Sequence, residues 1–269
     1  MQKAPTPEDE KIEAQGDVMT EVPTEEAIVA KIDKVTVDVS TWDPKTSLGK
    51  KVKKGDITSI DFVLDNNLPI LEEQIVDALI PDLQSDLLLV GQSKGKFGGG
   101  QRRVFKQTQR KTCEGNKPSF ATLAVVGNMN GYVGVGYGKS KETVPSREKS
   151  VRNAKLHIIK VTRGCGSWQC GCREPHTIPF NVTGKCGSTK LTLMPAPKGK
   201  GLVCDGEVAR ILRHAGIKDV WSKSFGQVRT KINLAEACID ALRRLSKTKL
   251  RNEYIEVTGV CEGPIRKKE

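Results

Sequence analysis

The sequence contains few aromatic and few histidine side chains, and both shortages exclude functions. Aromatic residues are 4% of the chain, which argues against nucleic-acid recognition that depends mainly on stacking bases on aromatic rings. There are 3 histidines among 269 residues, and no paired carboxylates, Ser/His/Asp set or dinucleotide fingerprint stands out. The sequence therefore gives no positive case for an enzyme.

Long apolar segments are also absent. No run approaches the roughly 20 apolar residues that a membrane-spanning helix needs, and the N-terminus lacks the apolar core of a signal peptide. We therefore expect a cytoplasmic protein that makes no contact with a membrane. In a reducing compartment the 8 cysteines are predicted to be thiols or metal ligands and not disulfides.

Charge, in contrast, is abundant and unevenly distributed. Residues 1–90 hold 9 basic and 19 acidic side chains, a balance of −10, whereas residues 91–269 hold 35 basic and 13 acidic ones, a balance of +22. Clustered Lys and Arg displace counterions from phosphate, so the basic part predicts a polyanionic partner. A solvated basic face without a partner is the alternative interpretation.

Composition and hydrophobic patterning divide the chain into segments of different character, and its length predicts roughly two globular domains. The predicted segments are a flexible acidic tail (1–28), an N-terminal extension with a helix over 71–80 (29–83), a first domain (84–162), a Cys-rich linker (163–176), a C-terminal domain (177–250) and a C-terminal tail (251–269). Both domains mix helical and strand patterns, so the predicted fold class is α+β.

The first domain is predicted to contain an antiparallel sheet. The predicted strands cover 86–90, 120–126 and 132–137. Asn130-Gly131 predicts a type I′ turn between the last two strands. The stretch 91–119 is dominated by Gly, Lys, Arg and Gln and cannot bury a core, so it is predicted to be a long exposed loop or an irregular hairpin.

A helix is predicted to begin at Pro145, where the missing N–H costs nothing. The spacing of Val144, Val151, Ala154 and Ile158 predicts its buried face. The strand before this helix carries glycine at alternate positions (Gly134, Gly136 and Gly138), which all lie on one face. Such a smooth face either lies against an RNA backbone or packs under the helix.

The C-terminal domain is predicted to combine a hairpin with two helices. Its strands are predicted over 178–182 and 189–193, around a turn at 184–187. The first helix is predicted to end at Gly216, and Asn233 is predicted to cap the second.

Four potential metal ligands lie close together in the linker, in the order Cys165-x4-Cys170-x-Cys172-x3-His176. Sulfur and imidazole nitrogen are ligands that Zn²⁺ prefers, although the spacing is not the usual two-residue knuckle. Cys186 is a candidate further ligand. Reduced thiols without metal are the alternative, and a catalytic Cys–His pair is less favoured because no third orienting group or oxyanion hole is evident. The sequence thus indicates no required cofactor and one candidate, a structural Zn²⁺.

Residues 120–139, FATLAVVGNMNGYVGVGYGK, resemble the signature of the universal S-five family of the small ribosomal subunit. Further resemblance lies in KETVP at 141–145, NAK at 153–155, PHTIPF at 175–180, GS at 187–188, PAPKG at 195–199 and AGIKDVW at 215–221. WDPKTSLG at 42–49 and RGCGSW at 163–168 are similar to the archaeal branch of that family. The resemblance covers about residues 40–248.

The resemblance implies a fold and a role. It implies a first domain similar to a double-stranded-RNA-binding domain and a C-terminal α+β sandwich. It also implies a structural constituent of the small ribosomal subunit that binds small-subunit rRNA, supports assembly and decoding accuracy, and lies near the mRNA entry region. The expected partners are therefore rRNA, mRNA near the entry channel, the ribosomal protein S-four and other small-subunit proteins.

In relatives the basic loop before the second strand reaches into rRNA, and the resemblance assigns that role here to Lys94, Lys96, Arg102, Arg103, Lys106 and Arg110. Lys139, Arg147, Lys149 and Arg152 are added as candidates on the following strand end and helix. Ser146, Arg147 and Ser150 stand where the family often has small apolar residues, so we expect this helix to be more exposed and to face RNA. The acids of the N-terminal extension are expected to meet neighbouring basic proteins.

Two other functions remain as alternatives to a ribosomal protein. The first is a free zinc-dependent RNA-processing enzyme or nucleic-acid chaperone, which would stay in the supernatant when ribosomes sediment. The second is an adaptor whose acidic front recruits a basic partner.

Overall fold

The computed structural model describes residues 42–92 and 102–264. The predicted acidic tail, the start of the N-terminal extension and the last five residues lie outside these ranges. Within them, no helix is both long and apolar enough to cross a membrane.

Three short helices begin the described chain: α1 (Ser47–Lys54), α2 (Ile60–Asp65) and α3 (Glu73–Leu79). Thr46 caps α1 by accepting a hydrogen bond from the Gly49 N–H, and Gly55, at φ +86°, ends it. Helix α3 lies within the predicted helix at 71–80 and ends just before Pro81, which cannot continue a helix.

An antiparallel sheet follows, made of β1 (Gln84–Leu87), β2 (Lys106–Thr112), β3 (Gly115–Gly127), β4 (Tyr132–Ser140) and β5 (Ile158–Lys160). Strand β3 is its centre. β4 pairs with one edge of β3. Along the other edge, β2 pairs with the first half of β3 and β1 pairs with its second half. β5 pairs with β4. The first half of β3 and β2 therefore form a hairpin of their own.

That hairpin confirms an exposed hairpin within the predicted stretch 91–119, but it is regular and not irregular. From residue 106 onward the pairing is regular and continuous, from Lys106 opposite Ala121 to Thr112 opposite Gly115. The strand Lys-Gln-Thr-Gln-Arg-Lys-Thr has no apolar alternation, so the periodicity that predicts half-buried strands could not detect it.

The turn between β3 and β4 also differs from its prediction. Positive φ angles occur at Met129 (+55°) and Gly131 (+102°) and not at two consecutive residues, so the turn is not type I′. The side-chain oxygen of Asn128 accepts hydrogen bonds from the N–H groups of Asn130 and Tyr132, at 2.8 and 3.1 Å. An Asn side chain that mimics the backbone thus organises this turn.

Helix α4 (Thr143–Leu156) packs on β3 and β4. The glycine face of β4 lies directly under it, which settles the two interpretations in favour of packing. An added Cβ at Gly136 would lie 2.1 Å from the Ala154 nitrogen and 2.4 Å from the Ser150 carbonyl oxygen. Only glycine permits two backbones to approach this closely.

The side of α4 that faces the sheet is built from small and polar residues. Its buried side chains are Ser146, Ser150, Ala154 and Lys155. The predicted apolar face is therefore wrong at Val144, which is 59% exposed. The expectation that Ser146 and Ser150 face RNA is also wrong, because both are fully buried. The Ser146 hydroxyl lies within 3.1 Å of two strand carbonyl oxygens, so its burial leaves no unmet hydrogen bond.

The C-terminal domain has a second sheet in the order β7-β8-β10-β9, made of β7 (Val182–Cys186), β8 (Thr189–Pro195), β9 (Leu202–Val203) and β10 (Val220–Phe225). Helices α5 (Gly206–His214) and α6 (Lys231–Lys247) complete the domain. Helix α6 packs on β7 so closely that an added Cβ at Gly184 would lie 2.0 Å from the Ala237 carbonyl oxygen.

Three predicted boundaries of this domain are corrected or confirmed by the structure. The strand predicted over 178–182 begins only at Val182 and runs through the predicted turn to Cys186. Gly216, at φ +80°, follows α5 as predicted. Helix α6 begins at Lys231, so Asn233 lies inside the helix and does not cap it.

The predicted C-terminal tail is ordered up to residue 264. It forms helix α7 (Asn252–Thr258) and strand β11 (Cys261–Glu262), and β11 pairs with β6 (Thr162–Arg163) at the start of the linker. The last strand of this segment is thus paired with another part of the chain.

One cluster of buried apolar side chains continues from the first sheet into the second. It includes Leu123 and Val133 on β3 and β4, Leu193 on β8, and Leu212 and Leu242 on the two C-terminal helices. A smaller cluster packs α2 and α3 against the first sheet through Ile60, Val76, Ile80, Tyr132 and Ile158. The division into a first and a C-terminal domain stays a prediction.

The Glu72 carboxylate docks the segment before α1 onto α3. It accepts hydrogen bonds from the Trp42 indole N–H (3.0 Å) and from the backbone N–H groups of Lys45 (2.9 Å) and Thr46 (2.7 Å). Burial acts to raise the pKa of Glu72, but the hydrogen bonds from Thr46, Lys45 and Trp42 outweigh it and hold the pKa below its ordinary value.

We expect Glu72→Gln to loosen this docked segment. A lowered pKa means that the carboxylate stabilises the fold above its unfolded pKa, and that this contribution is lost as the pH falls through the folded value. The NMR signal of the Trp42 indole N–H should therefore shift, and its protection relative to the intrinsic exchange rate at the same pH should fall, in acid for the wild type and already at neutral pH for the variant. Glu114→Gln changes an exposed carboxylate and serves as the control. Identical Trp42 signals in all three proteins would contradict the proposed docking.

Candidate nucleic-acid interface and metal centre

The hairpin over residues 106–119, called the arm below, is the most exposed basic element described. All residues of 106–111 and 113–118 are exposed. Arg110 lies directly opposite Lys117, and like charges at opposite strand positions destabilise a sheet. Lys117 also forms an exposed ion pair with Glu114 at 2.8 Å, the one acid against four basic residues on the arm. Edge-to-face contact of the Phe105 and Phe120 rings, with centroids 5.7 Å apart, fixes the base of the arm. An arm that buries so little and concentrates one charge is suited to an anionic partner.

A cleft of about 840 Å³ lies at the foot of the arm. Its basic lining residues are Arg102, Arg103, Lys106, Arg229 and Lys231. No carboxylate belongs to the lining that the structure describes. Arg102 is partly engaged, since its guanidinium donates a hydrogen bond to the Arg229 carbonyl oxygen at 3.2 Å. Lys94 and Lys96 of the predicted loop lie outside the described residues.

The candidates on β4 and α4 do not form one uniform surface. Lys139 and Lys149 are exposed beside a cavity of about 390 Å³. Arg152 lines the same cavity but forms an ion pair with Glu73, at 3.1 Å. Arg147 is half-buried, and its Nε is buried without a hydrogen-bond partner. The structure thus presents Lys139 and Lys149 freely to solvent and holds the two arginines closer to the protein.

The acids of the N-terminal extension pair with the chain's own basic residues. Asp77 accepts a hydrogen bond from Lys155 at 2.8 Å, with both side chains largely buried. Lys160 lies 3.2 Å from Asp61 and 3.3 Å from Asp65. Burial raises the pKa of Asp77, and the hydrogen bond from Lys155 offsets only part of this rise. These pairs join α3 to α4 and α2 to β5, and the expectation that acids of the extension meet neighbouring basic proteins stays a prediction.

The structure brings together the four ligands predicted in the linker. The thiol sulfurs of Cys165, Cys170 and Cys172 and a ring nitrogen of His176 all lie within 4.8 Å of one another. These four residues are called the Cys–His cluster below. His176 directs Nε2 toward the Cys170 sulfur, 3.8 Å away. Cys186 does not belong to the cluster, since its thiol contacts Glu236 at 3.3 Å.

The thiols of the cluster differ in acidity. A hydrogen bond from the backbone of Lys198 lowers the pKa of Cys170 to about 6, whereas burial raises the pKa of Cys165 to about 11. A thiolate at Cys170 is therefore already favoured near neutral pH, and a cation would be needed to deprotonate Cys165.

Asp219 is a member of this site that the sequence did not reveal. Its Oδ2 lies 2.8 Å from His176 Nδ1, and its Oδ1 accepts a hydrogen bond from the Gly201 N–H at 2.8 Å. A carboxylate on Nδ1 leaves Nε2 as the free nitrogen and fixes the ring. Asp219 also supplies the third orienting group that a catalytic Cys–His pair was expected to lack. Two further thiols crowd the same nitrogen, however, which suits a metal ligand set better than a nucleophile with room for substrate.

Comparison with known proteins defines the class to which this architecture belongs. The family model "Ribosomal protein S5, N-terminal domain" matches residues 101–162, and "Ribosomal protein S5, C-terminal domain" matches residues 184–253. The two matched segments contain the first sheet except β1, with α4, and most of the second sheet with α5 and α6. Both matched models describe domains of a ribosomal protein, so the class indicated is a ribosomal protein.

Relatives match over most of the chain. Small ribosomal subunit protein uS5 of Nanoarchaeum equitans is 47% identical over 229 residues, which cover 85% of this chain and 98% of the relative. The protein of the same name from Methanocaldococcus jannaschii is 49% identical, with the same coverage of both chains. The one from Methanobrevibacter smithii is 46% identical over 84% of this chain and 99% of the relative. The chain therefore belongs to the ribosomal protein S5 family.

These relatives confirm the predicted family and its archaeal type. They are ribosomal proteins and not enzymes, which confirms the prediction that the chain is not an enzyme and removes the RNA-processing alternative. The family indicates no cofactor.

Proposed function

We propose that the chain is a structural constituent of the small ribosomal subunit and binds small-subunit rRNA through the arm and the cleft at its foot. The observation that carries this proposal is the pairing of Arg110 with Lys117 on a hairpin that is exposed on both faces. An isolated two-stranded hairpin is marginal in water, and this one bears like charges opposite each other. Phosphates on either side would neutralise that repulsion and order the arm.

Lys139 and Lys149 form a second proposed contact with rRNA, beside the end of β4. Lys94 and Lys96 remain proposed contacts on the strength of the family resemblance. Arg147 and Arg152 are weaker proposals, because one is half-buried and the other is paired with Glu73. Such contacts read the shape and phosphates of RNA and not its base edges.

We further propose that the first domain resembles a double-stranded-RNA-binding domain. The chain order is α3-β1-β2-β3-β4-α4, in which β2 belongs to the arm, and α3 contacts α4 through two ion pairs. Apart from the arm, this succession of a helix, three antiparallel strands and a helix supports the likeness. The family resemblance also supports contacts with the ribosomal protein S-four, a position near the mRNA entry region, and roles in assembly and decoding accuracy. The protein would then be a cytoplasmic ribonucleoprotein component.

RNA binding through Lys and Arg side chains needs no cofactor. We propose that the Cys–His cluster has a separate, structural role with Zn²⁺ as its occupant. A tetrahedral site with Zn–S near 2.3 Å and Zn–N near 2.0 Å places its ligand atoms about 3.5–3.8 Å apart. The lower value applies to a sulfur–nitrogen pair, and the 3.8 Å between Cys170 Sγ and His176 Nε2 is slightly longer. All four ligand atoms lie within 4.8 Å of one another, so small movements of the side chains would complete the site.

The triple variant Lys106→Gln, Arg110→Gln, Lys117→Gln tests the arm. Each phosphate contact contributes about 0.7–0.9 to the slope of log K against log salt concentration. We therefore expect the slope for binding to small-subunit rRNA to fall by about 2–3, with an unchanged melting temperature, because these side chains bury nothing. Filter binding across a salt series measures the slope, and co-sedimentation measures incorporation into the subunit.

The matched control changes the same charge on the second sheet, through Lys185→Gln, Lys190→Gln and Lys223→Gln, three lysines that are also exposed. Arg102 is left unchanged because it binds the Arg229 carbonyl and its loss would disturb the cleft. If both triple variants lower the slope equally, the arm has no special role and only net charge matters.

A further inference from the structure

We infer that the metal at the Cys–His cluster acts as a clasp that holds the C-terminal segment 252–262 against the linker and the C-terminal domain. This inference rests on the proposed Zn²⁺ site and says what the site is for. The assigned ligands are the sulfurs of Cys165, Cys170 and Cys172 and the Nε2 of His176, with Asp219 orienting the imidazole through Nδ1. Three thiolates and one imidazole are a ligand set typical of structural zinc.

The linker needs such a cross-link because it has little structure of its own. No helix or strand occurs over residues 165–176. The backbone hydrogen bonds within it join the Cys170 N–H to the Ser167 carbonyl oxygen at 3.2 Å and the His176 N–H to the Glu174 carbonyl oxygen at 2.9 Å. A segment with so few internal bonds stays in one conformation only if something else connects it, and a metal bound by four of its side chains does so directly.

The C-terminal segment depends on that conformation. The Cys165 N–H donates a hydrogen bond to the Thr258 carbonyl oxygen at 2.8 Å. An added Cβ at Gly259, whose φ is +59°, would lie 1.9 Å from the Arg173 carbonyl oxygen. Both contacts are made by residues that are ligands or neighbours of ligands, so the metal would fix the surface on which this segment lies.

Helix α7 cannot hold its position by its own packing. It is 7 residues long, and Thr258 is its one buried residue. A helix this short is unstable alone, and Val257 is 63% exposed. Its position therefore depends on the linker, on the β6–β11 pair and on the Tyr254 hydroxyl, which donates to the Pro179 carbonyl oxygen at 2.6 Å.

On its other side the cluster is tied to the C-terminal domain. The His176 carbonyl oxygen accepts hydrogen bonds from the N–H groups of Lys218 (2.9 Å) and Asp219 (3.1 Å). Asp219 in turn holds both the His176 ring and the Gly201 N–H. The metal would thus connect the segment 252–262 to the loops beside β9 and β10.

The test uses the full chain, purified without a histidine tag, and measures metal by mass spectrometry and amide exchange by peptide. We expect about one equivalent of Zn²⁺, and tetrahedral visible absorption when Co²⁺ replaces it. Removing the metal with a chelator should speed exchange over 252–262 at least about tenfold, with little change in α6, and added Zn²⁺ should reverse this. Cys172→Ser should reproduce the metal-free state. Cys113→Ser, at the exposed tip of the arm, should change neither measurement.

Each outcome decides one part of the inference. A wild-type chain that binds neither Zn²⁺ nor Co²⁺ overturns the site and the clasp together. If the chain binds metal but amide exchange over 252–262 is unchanged after the metal is removed, the clasp is overturned and the metal site itself stands. If Cys172→Ser does not fold, Asp219→Asn retains all four ligands and should weaken Zn²⁺ binding about 10–100-fold in chelator competition; equal affinity would overturn the orienting role. The arm variant keeps its metal in every case, so failure of the proposed RNA binding is seen separately.

Discussion

Replacing Gly136 with alanine should destabilise the protein by about 3 kcal/mol, at the upper end of what overpacking costs. The added Cβ would lie 2.1 Å from the Ala154 nitrogen, 2.4 Å from the Ser150 oxygen and 2.6 Å from the Asn153 carbonyl carbon. All three atoms belong to the backbone of α4, so no change of side-chain rotamer can relieve the contact. The helix must move off the sheet, and the hydrogen bonds of the buried Ser146 hydroxyl would be lost with it.

Thermal and denaturant unfolding measure this loss. In a chain of this size about 3 kcal/mol corresponds to a fall in melting temperature of roughly 6–12 °C. Gly206→Ala is the matched control, because Gly206 begins α5 and an added Cβ there meets nothing within 4 Å. That change should be neutral or slightly stabilising. A Gly136→Ala protein as stable as the control would show that α4 does not pack on β4 as described.

The packing of α4 also shows where prediction from the sequence ends. The alternating glycines were sufficient to predict a smooth strand face, but not what covers it. Apolar periodicity indicated the wrong side of the helix at Val144, because it assumes that large apolar side chains face the core. Here the two backbones approach closely, so the buried positions Ser146, Ser150 and Ala154 are small, and the hydroxyls satisfy strand carbonyls. The pattern that marks the buried side of this helix is a small residue at every fourth position, and not a repeat of large apolar residues.

The candidate metal centre, too, could be predicted only in part. Ligand type and close spacing were sufficient to predict the four residues of the Cys–His cluster, which the structure brings together. Asp219, 43 residues from His176 in the chain, was not predicted. An orienting carboxylate can come from any segment that the fold places nearby, so its spacing carries no information. The order of 252–262 escaped prediction for a related reason, since it depends on the linker and not on local propensity.

The distribution of charge along the sequence indicated the kind of partner, but it did not indicate which acidic and basic side chains form ion pairs. The excess of acid before residue 90 and of base after it follows from counting, and the exposed arm agrees with a polyanionic partner. The pairs Asp77–Lys155 and Glu73–Arg152 could not be read from the count, because they depend on how α3 docks against α4. Part of the acidic front therefore neutralises the chain's own bases.

Replacing Arg163 with alanine is expected to cost about 3–5 kcal/mol, through lost hydrogen bonds and a cavity. Arg163 is 2% exposed, and its guanidinium donates hydrogen bonds to Asn130 Oδ1 and the Gly263 carbonyl at 2.9 Å, and to the Gly216 carbonyl at 3.3 Å. Those acceptors belong to the β3–β4 turn, the residues after β11 and the end of α5. One side chain thus connects the first sheet, the C-terminal segment and the C-terminal domain.

The size of the loss should depend on which residue replaces Arg163. Burial lowers the pKa of Arg163, so the buried charge itself opposes folding. Arg163→Met fills most of the volume and removes that charge, and should cost about 1–3 kcal/mol, less than alanine. Arg244→Ala, which breaks an exposed pair with Asp240, should cost no more than about 0.5 kcal/mol. If methionine is as harmful as alanine, lost hydrogen bonds outweigh the cavity, and the guanidinium is needed for its three acceptors and not for its bulk.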